Sequence, residues 1–185
     1  MATGVNGSGD YLRRTTALPS ATAFTICGWA NVRQVRAGQY QYFAGLENAS
    51  ASASAWILMG YDNGGNFELA DTGGDSNFAS NPTLNSWFFF AVANSGTGAG
   101  NLNGYFRHPA GSFVTVSRTG VTFTPALLPL GNDSYDEYCD IILSNIKVYD
   151  AALTQAQLEN EMWSYVPHRF TNLHAWWPLF GGATE

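Results

Sequence analysis

From Asp140 to Leu158 the chain reads DIILSNIKVYDAALTQAQL, an alternating apolar run set directly against a helix start. The period of two predicts a half-buried strand, with Ile142, Ser144, Ile146 and Val148 on one face and Ile141, Leu143, Asn145, Lys147 and Tyr149 on the other. Thr154 is placed as the N-cap of a short helix, Gln157 as its reciprocal capping-box partner, and Leu153 with Leu158 as the hydrophobic staple. Two earlier runs are apolar on both faces. In Phe24 to Val32, Phe24, Ile26, Gly28 and Ala30 oppose Cys27 and Trp29; in Asn85 to Asn94, Phe88, Phe90 and Val92 oppose Trp87, Phe89, Ala91 and Ala93. Strands covered on both faces belong in the middle of a sandwich. Between them Tyr40 to Leu46 and Ala55 to Tyr61 read as consecutive strands, and the turn Asp62-Asn63-Gly64-Gly65 leads to Phe67 to Ala70 as a hairpin. Residues 72 to 82 read as loop. Shorter strands are expected at 103–106, 113–117, 121–123 and 127–132, and Leu173 to Phe180 is a last strand that either closes its own sheet or reaches a neighbour. The pattern gives about twelve strands and one helix, in an all-β fold with Trp29, Trp56 and Trp87 packed between the sheets.

At 185 residues the chain fits a single domain spanning 1–185. Charged residues make up only 12% of it, so Ser, Thr, Asn, Gln and Gly cover most of the surface, as suits a secreted or particle-borne module. The net charge of −6 and the lack of any basic cluster beyond Arg13-Arg14 argue against nucleic acid as a partner. No apolar run is long enough for a membrane-spanning helix, and the first residues lack the layout of a signal peptide. Cys27 and Cys139 are too few for a disulfide scaffold and are expected as buried free thiols.

Several of these runs carry a resemblance. IKVYDAALTQAQL resembles the closing pattern DEVRIYNRALSxxEI of laminin-G-like domains in the concanavalin A-like lectin/glucanase superfamily. VNGSGDYL from Val5, FTICGWANV from Phe24, NSWFFFAVAN from Asn85 and LLPLGN from Leu127 resemble, in the same order, that family's FDGxDDYV, FTISAWV, GEWHHVAVTYDG and LTIGN landmarks. The resemblance covers Val5 to Leu158. It implies a two-sheet antiparallel jelly-roll sandwich with one short helix near the C-terminus.

It also raises three chemistries. Retaining hydrolases of this superfamily set two carboxylates alternately on one strand, about 5 Å apart; no such pattern occurs here, and the expectation is a protein that is not an enzyme. Many relatives hold calcium, which needs six to eight hard oxygens. The loops Asp71 to Asn77 and Asn132 to Glu137 offer them, with Asp133, Asp136 and Glu137 as the candidate ligands and Asp10 as a further one. Ser144 and Asn145 replace the acidic pair of relatives, which weakens that inheritance, and calcium is the one cofactor considered. Lectin sites on such sandwiches combine an aromatic platform with side chains that bond sugar hydroxyls. Tyr40 and Tyr42 on one strand face, Tyr135 and Tyr138 beside the acidic loop, and Asp62-Asn63 after Tyr61 are the candidates, set against the plain reading of aromatics as core. The expected function is noncatalytic recognition of carbohydrate on a cell surface or polysaccharide, outside the cell or on a virion surface. A structural or protein-interaction module, homo-oligomeric or within a larger assembly, is the alternative.

Overall fold

The computed structural model describes residues 3–5, 12–49 and 53–179. The candidate Asp10 and most of the 5–12 landmark lie outside the described residues. Among the described residues thirteen strands and one helix follow in the order β1 (Thr3–Val5), β2 (Leu12–Arg14), β3 (Phe24–Gln34), β4 (Gln41–Glu47), β5 (Trp56–Tyr61), β6 (Phe67–Asp71), β7 (Gly74–Asn77), β8 (Phe88–Asn94), β9 (Gly98–Arg107), β10 (Val114–Gly120), β11 (Leu128–Leu130), β12 (Asp140–Tyr149), α1 (Gln155–Trp163) and β13 (Leu173–Trp177). One sheet runs β1-β12-β3-β8-β9-β10 with β13 also on β12, and the other runs β2-β11-β4-β5-β6-β7. The named strand pairs are antiparallel. This is the jelly-roll sandwich that the sequence implies.

The inner faces meet in one core. Phe24, Ile26, Ala30 and Val32 from β3 and Phe88, Phe90 and Val92 from β8 pack against Phe43, Ile57, Met59, Phe67 and Leu69 of the opposite sheet. Phe67 is the hub of the rings, with Phe43, Tyr61, Phe78, Phe88 and Phe106 within ring-contact distance. Such burial of large apolar surface drives the sandwich shut.

Both outer faces carry a smaller apolar cluster. Over the first sheet, Leu153, Leu158 and Met162 of the α1 segment cover Cys27, Phe89, Ala91 and Tyr149. The capping box is formed as expected, with Gln157 N donating to Thr154 Oγ1 at 3.3 Å and Thr154 N to Gln157 Oε1 at 2.9 Å. Thr25 fixes the tight junction into the helix, donating to Ala151 O at 2.7 Å and accepting from Leu153 N at 2.8 Å. Beneath the helix Lys147 and Glu161 form a fully buried pair at 2.8 Å. Lys147 Nζ also donates to Glu161 O and Ser164 O, while Glu161 accepts from the amides of His168 and Arg169.

Four expectations are corrected. The strand β12 does not keep one phase: a bulge sets Asn145 and Ile146 opposite Gly28, with Asn145 at φ 52°, so Ile141 and Leu143 join Ile146 and Val148 in the core while Ile142 and Ser144 face outward. A Cβ at Gly28 would lie 2.5 Å from Ile146 Cδ1, so the glycine makes room for the bulge. Trp29, Trp56 and Trp87 are not between the sheets: Trp29 packs beside α1, Trp56 lies on the outer face of the second sheet, and Trp87 is exposed. Residues 72–82 contain β7, paired with β6, and 121–123 form no strand. The last strand takes the first of its two expected courses: β13 pairs with β12 of its own chain through Ile146↔Trp177 and Val148↔Ala175. Cys27 and Cys139 are buried and free, as expected, Cys27 beneath the helix and Cys139 in the main core.

Candidate functional site

The outer face of the second sheet holds the candidate site. On β4 a bulge after Tyr42 turns both Phe43 and Ala44 into the core, leaving Tyr42 outward. Tyr42, Leu58 and Ala70, with Trp56 beside them, make an apolar floor across β4, β5 and β6. Gly60, opposite Tyr42, has no side chain because a Cβ there would sit 2.1 Å from Gln41 O. The loop after β11 then folds back over β4. Its Glu137 carbonyl accepts from Tyr42 N at 2.9 Å, and Tyr138 forms an isolated parallel bridge to Tyr42.

That loop is held by Asp133, whose Oδ1 accepts from the amides of Tyr135 and Glu137, both at 2.9 Å. Its far side is fastened by Glu47, fully buried on β4, which accepts from Ser134 N at 3.1 and 3.2 Å. Tyr135 OH donates to Ala53 O at 2.5 Å, and Ala53 N donates to Ser134 Oγ. A groove of about 330 Å³ results, lined by Tyr40, Tyr42, Trp56, Leu58, Ala70, Asp71, Thr72, Gly74, Asp75, Asp133, Tyr135 and Glu137. Aromatic pairs stand at it: Tyr40 stacks on Tyr42 with centroids 6.1 Å apart, and Trp56 meets Tyr135 edge-on at 6.3 Å.

Its acids are under pressure. Beneath Tyr42 the fully buried Glu68 accepts from the Tyr42 hydroxyl at 2.5 Å. Burial pushes Glu68 up to about 7, against the lowering effect of that hydrogen bond. Burial likewise pushes Glu47 up to about 7, with Ser134 opposing and Asp133 adding to the shift. Glu137 is pushed up to about 8, first by burial and then by its hydrogen bond to Asp133. Carboxyls crowded in a partly dry site resist ionising together.

Of the predicted ligand-binding residues, the groove gathers Tyr40, Tyr42 and Tyr135. Tyr138 lines an adjoining hollow with Gly38, Gln39, Tyr40, Asp136 and Glu137, its ring under the Arg36 guanidinium at 4.8 Å. Asp62 and Asn63 do not line the groove. Asp62 is occupied within its hairpin turn, accepting from Asn66 N at 2.7 Å and Asn66 Nδ2 at 2.8 Å; those hydrogen bonds outweigh its burial and lower its pKa. Tyr61 points into the core. Of the predicted metal ligands, Asp133 and Glu137 stand together at the groove, with a hydrogen bond between their carboxyls. Asp133 spends Oδ1 on loop amides, whereas Asp136, 79% exposed, turns to Arg13 at 3.5 Å. Among the described residues no three His, Cys, Asp or Glu side chains are grouped to hold a metal ion. Trp56, Leu58 and Ala70 were not expected here; alternation along β5 and β6, once the outer face is known to be covered by a loop, is the signal that points to them.

A family model described as the concanavalin A-like lectin/glucanases superfamily matches residues 6–159. Comparison with curated protein sequences gave no match. Among solved structures, a heptameric SAP-like pentraxin from Limulus polyphemus is similar with a TM-score of 0.62 at 16% identity, over 91% of this chain and 83% of the pentraxin. Domain 4 of an extracellular arabinanase from Geobacillus stearothermophilus, in complex with arabinotriose, gives a TM-score of 0.56 at 16% identity over 87% of this chain and 81% of that one. Tailspike protein 2 of an Escherichia coli O157:H7 bacteriophage gives 0.63 at 10% identity over 97% of this chain, which spans 28% of the tailspike. At these identities the likeness is one of fold.

Proposed function

The chain belongs to the concanavalin A-like lectin/glucanase superfamily, and from that premise we propose that it is a noncatalytic carbohydrate-binding module whose sugar site is the groove over β4, β5 and β6. The observation behind this reading is the groove itself: aromatic pairs from Tyr40, Tyr42, Trp56 and Tyr135 beside the acids Asp71, Asp75, Asp133 and Glu137. Rings of this kind stack on the apolar face of a sugar, and the acids fix its orientation. The acids of the lining come from β6, β7 and the loop after β11, and no two of them alternate on one strand, which supports binding without bond cleavage. Single-site affinity in so open a groove is modest, and display in many copies on a cell-exterior or virion surface multiplies it.

A glycan array run with calcium and again with chelator tests this, with incubated oligosaccharides analysed for shortening. A selective hit, lost on replacing Tyr40 and Tyr135 by Ala and with no shortened product, is the expected result. A blank array overturns the reading. A second reading, assembly through a protein surface, draws on one observation: Trp163, Tyr165, Val166 and Phe170 are 58%, 47%, 49% and 69% exposed around the end of α1. A stable oligomer in solution, dispersed by Trp163→Ser with Phe170→Ser, favours it.

A further inference from the structure

The charge of the groove narrows what it takes. Of its lining residues Asp71, Asp75, Asp133 and Glu137 are acidic and none is Lys, Arg or His. The nearby cations are engaged at its margins. Arg118 Nε donates to Asp71 Oδ2 at 2.6 Å and its Nη1 to Ser76 at 3.0 Å. Arg13 donates to Asp133 O at 2.6 Å, and Arg36 lies over the Tyr138 ring. Asp133 is fully buried at the groove wall, and its Oδ2 has no hydrogen-bond donor beyond the neighbouring Glu137 carboxyl. Glu68, also fully buried under Tyr42, keeps Oε2 without a donor. The site thus sets acids, one of them with an unpaired buried oxygen, beside an apolar floor and carries no cation in its lining.

Resting on the carbohydrate reading above, we infer that the groove selects sugars whose contact edge carries hydroxyl or protonated amine donors, and excludes rings bearing carboxylate, sulfate or phosphate. A hydroxyl or ammonium edge donates to these acids. An anion would be brought against Asp75, Asp133 and the Glu137 carboxyl, while the one cation at the margin, Arg118, is already paired with Asp71; like charges brought together at an interface suppress the wrong partner. Asp75, exposed on β7, and Glu137, at the wall, are the specificity-determining residues, since neither is paired with a cation in the groove.

The test is a panel of neutral oligosaccharides, each paired with an acidic counterpart: lactose with sialyllactose, and methyl-esterified with free oligogalacturonides. Binding is read by calorimetry at low and high salt. Acidic members are expected to bind at least about tenfold more weakly than their partners, with the gap closing as salt screens the repulsion. In Asp75→Asn with Glu137→Gln the acidic-to-neutral affinity ratio should move towards one. Acidic members binding as tightly as neutral ones, or a ratio unmoved by both salt and the double variant, overturns the inference and leaves the carbohydrate reading standing. No binding by any member removes that reading and this inference with it. Should the double variant fail to fold, the salt series on the native protein decides alone.

Discussion

Lys147 shows how much a single position holds here. Its ammonium is the only cation fully buried among the described residues, and it meets Glu161 Oε2, Glu161 O and Ser164 O. Through Glu161 the same network reaches the amides of His168 and Arg169, and so ties the sheet, the helix and the segment leading to β13. Removing one partner of such a pair strands the other in a dry interior. Lys147→Met is expected to lower unfolding free energy by about 3–5 kcal/mol in a urea titration. A double variant that also carries Glu161→Gln should recover part of the loss, whereas simple loss of side-chain packing would add.

At the scale of elements, the helix and the groove-bearing strands make separate predictions. Thr154→Ala removes the cap from α1 and should cost about 1 kcal/mol of stability, with no effect on ligand binding. Gly60→Ala sets a methyl 2.1 Å from Gln41 O and 2.6 Å from Tyr42 Cα. It should cost about 1–3 kcal/mol, as overpacking does, and should weaken the binding of any groove ligand because Tyr42 moves. The elements were largely legible in the sequence where alternation and capping are strong: Phe24, Ile26 and Ala30 do oppose Cys27 and Trp29, and Thr154 does cap with Gln157. Alternation failed at β12 because a bulge at Asn145 shifts the phase by one residue, and no pattern of apolar residues records an extra residue in one strand. Asn145 is explained only in three dimensions, where its Oδ1 accepts from Trp176 Nε1 and its Nδ2 donates to Ser164 O. The tryptophans misled for another reason. Each is a large ring with a polar N–H, suited to an outer face that a helix or loop partly covers, and Trp29 Nε1 donates to Met162 O accordingly. At the site, the tyrosines were readable as amphipathic rings near acids. The contributions of Trp56 and Glu47 were not, since both depend on where residues 132–137 come to rest.

For the whole molecule, the buried acids set an unusual dependence on pH. Glu47 and Glu68 rise from 4.5 to about 7 on folding. Below about pH 4.5 both folded and unfolded chains hold these protons and the shift has no effect on stability. Between about 4.5 and 7 the unfolded chain releases them while the folded one keeps them, so these two groups make stability fall as pH rises, and the loss is complete above about 7. Denaturation midpoints measured from pH 5 to pH 8 should therefore decline, and Glu47→Gln or Glu68→Gln should flatten the decline. A midpoint that climbs over this range, unchanged by either variant, would mean that both carboxyls are ionised in the folded protein.

The two cysteines occupy different layers, Cys27 between sheet and helix and Cys139 between the sheets. Burial pushes the Cys27 thiol up to about 12 and raises that of Cys139 as well, so neither forms a thiolate readily while the fold is closed. Each is therefore a silent reporter of its own layer. If α1 lifts away before the sandwich parts, a thiol-reactive dye in excess should mark Cys27 first, with Cys139 following only at the rate of global opening; simultaneous marking would show that helix and sandwich come apart as one unit.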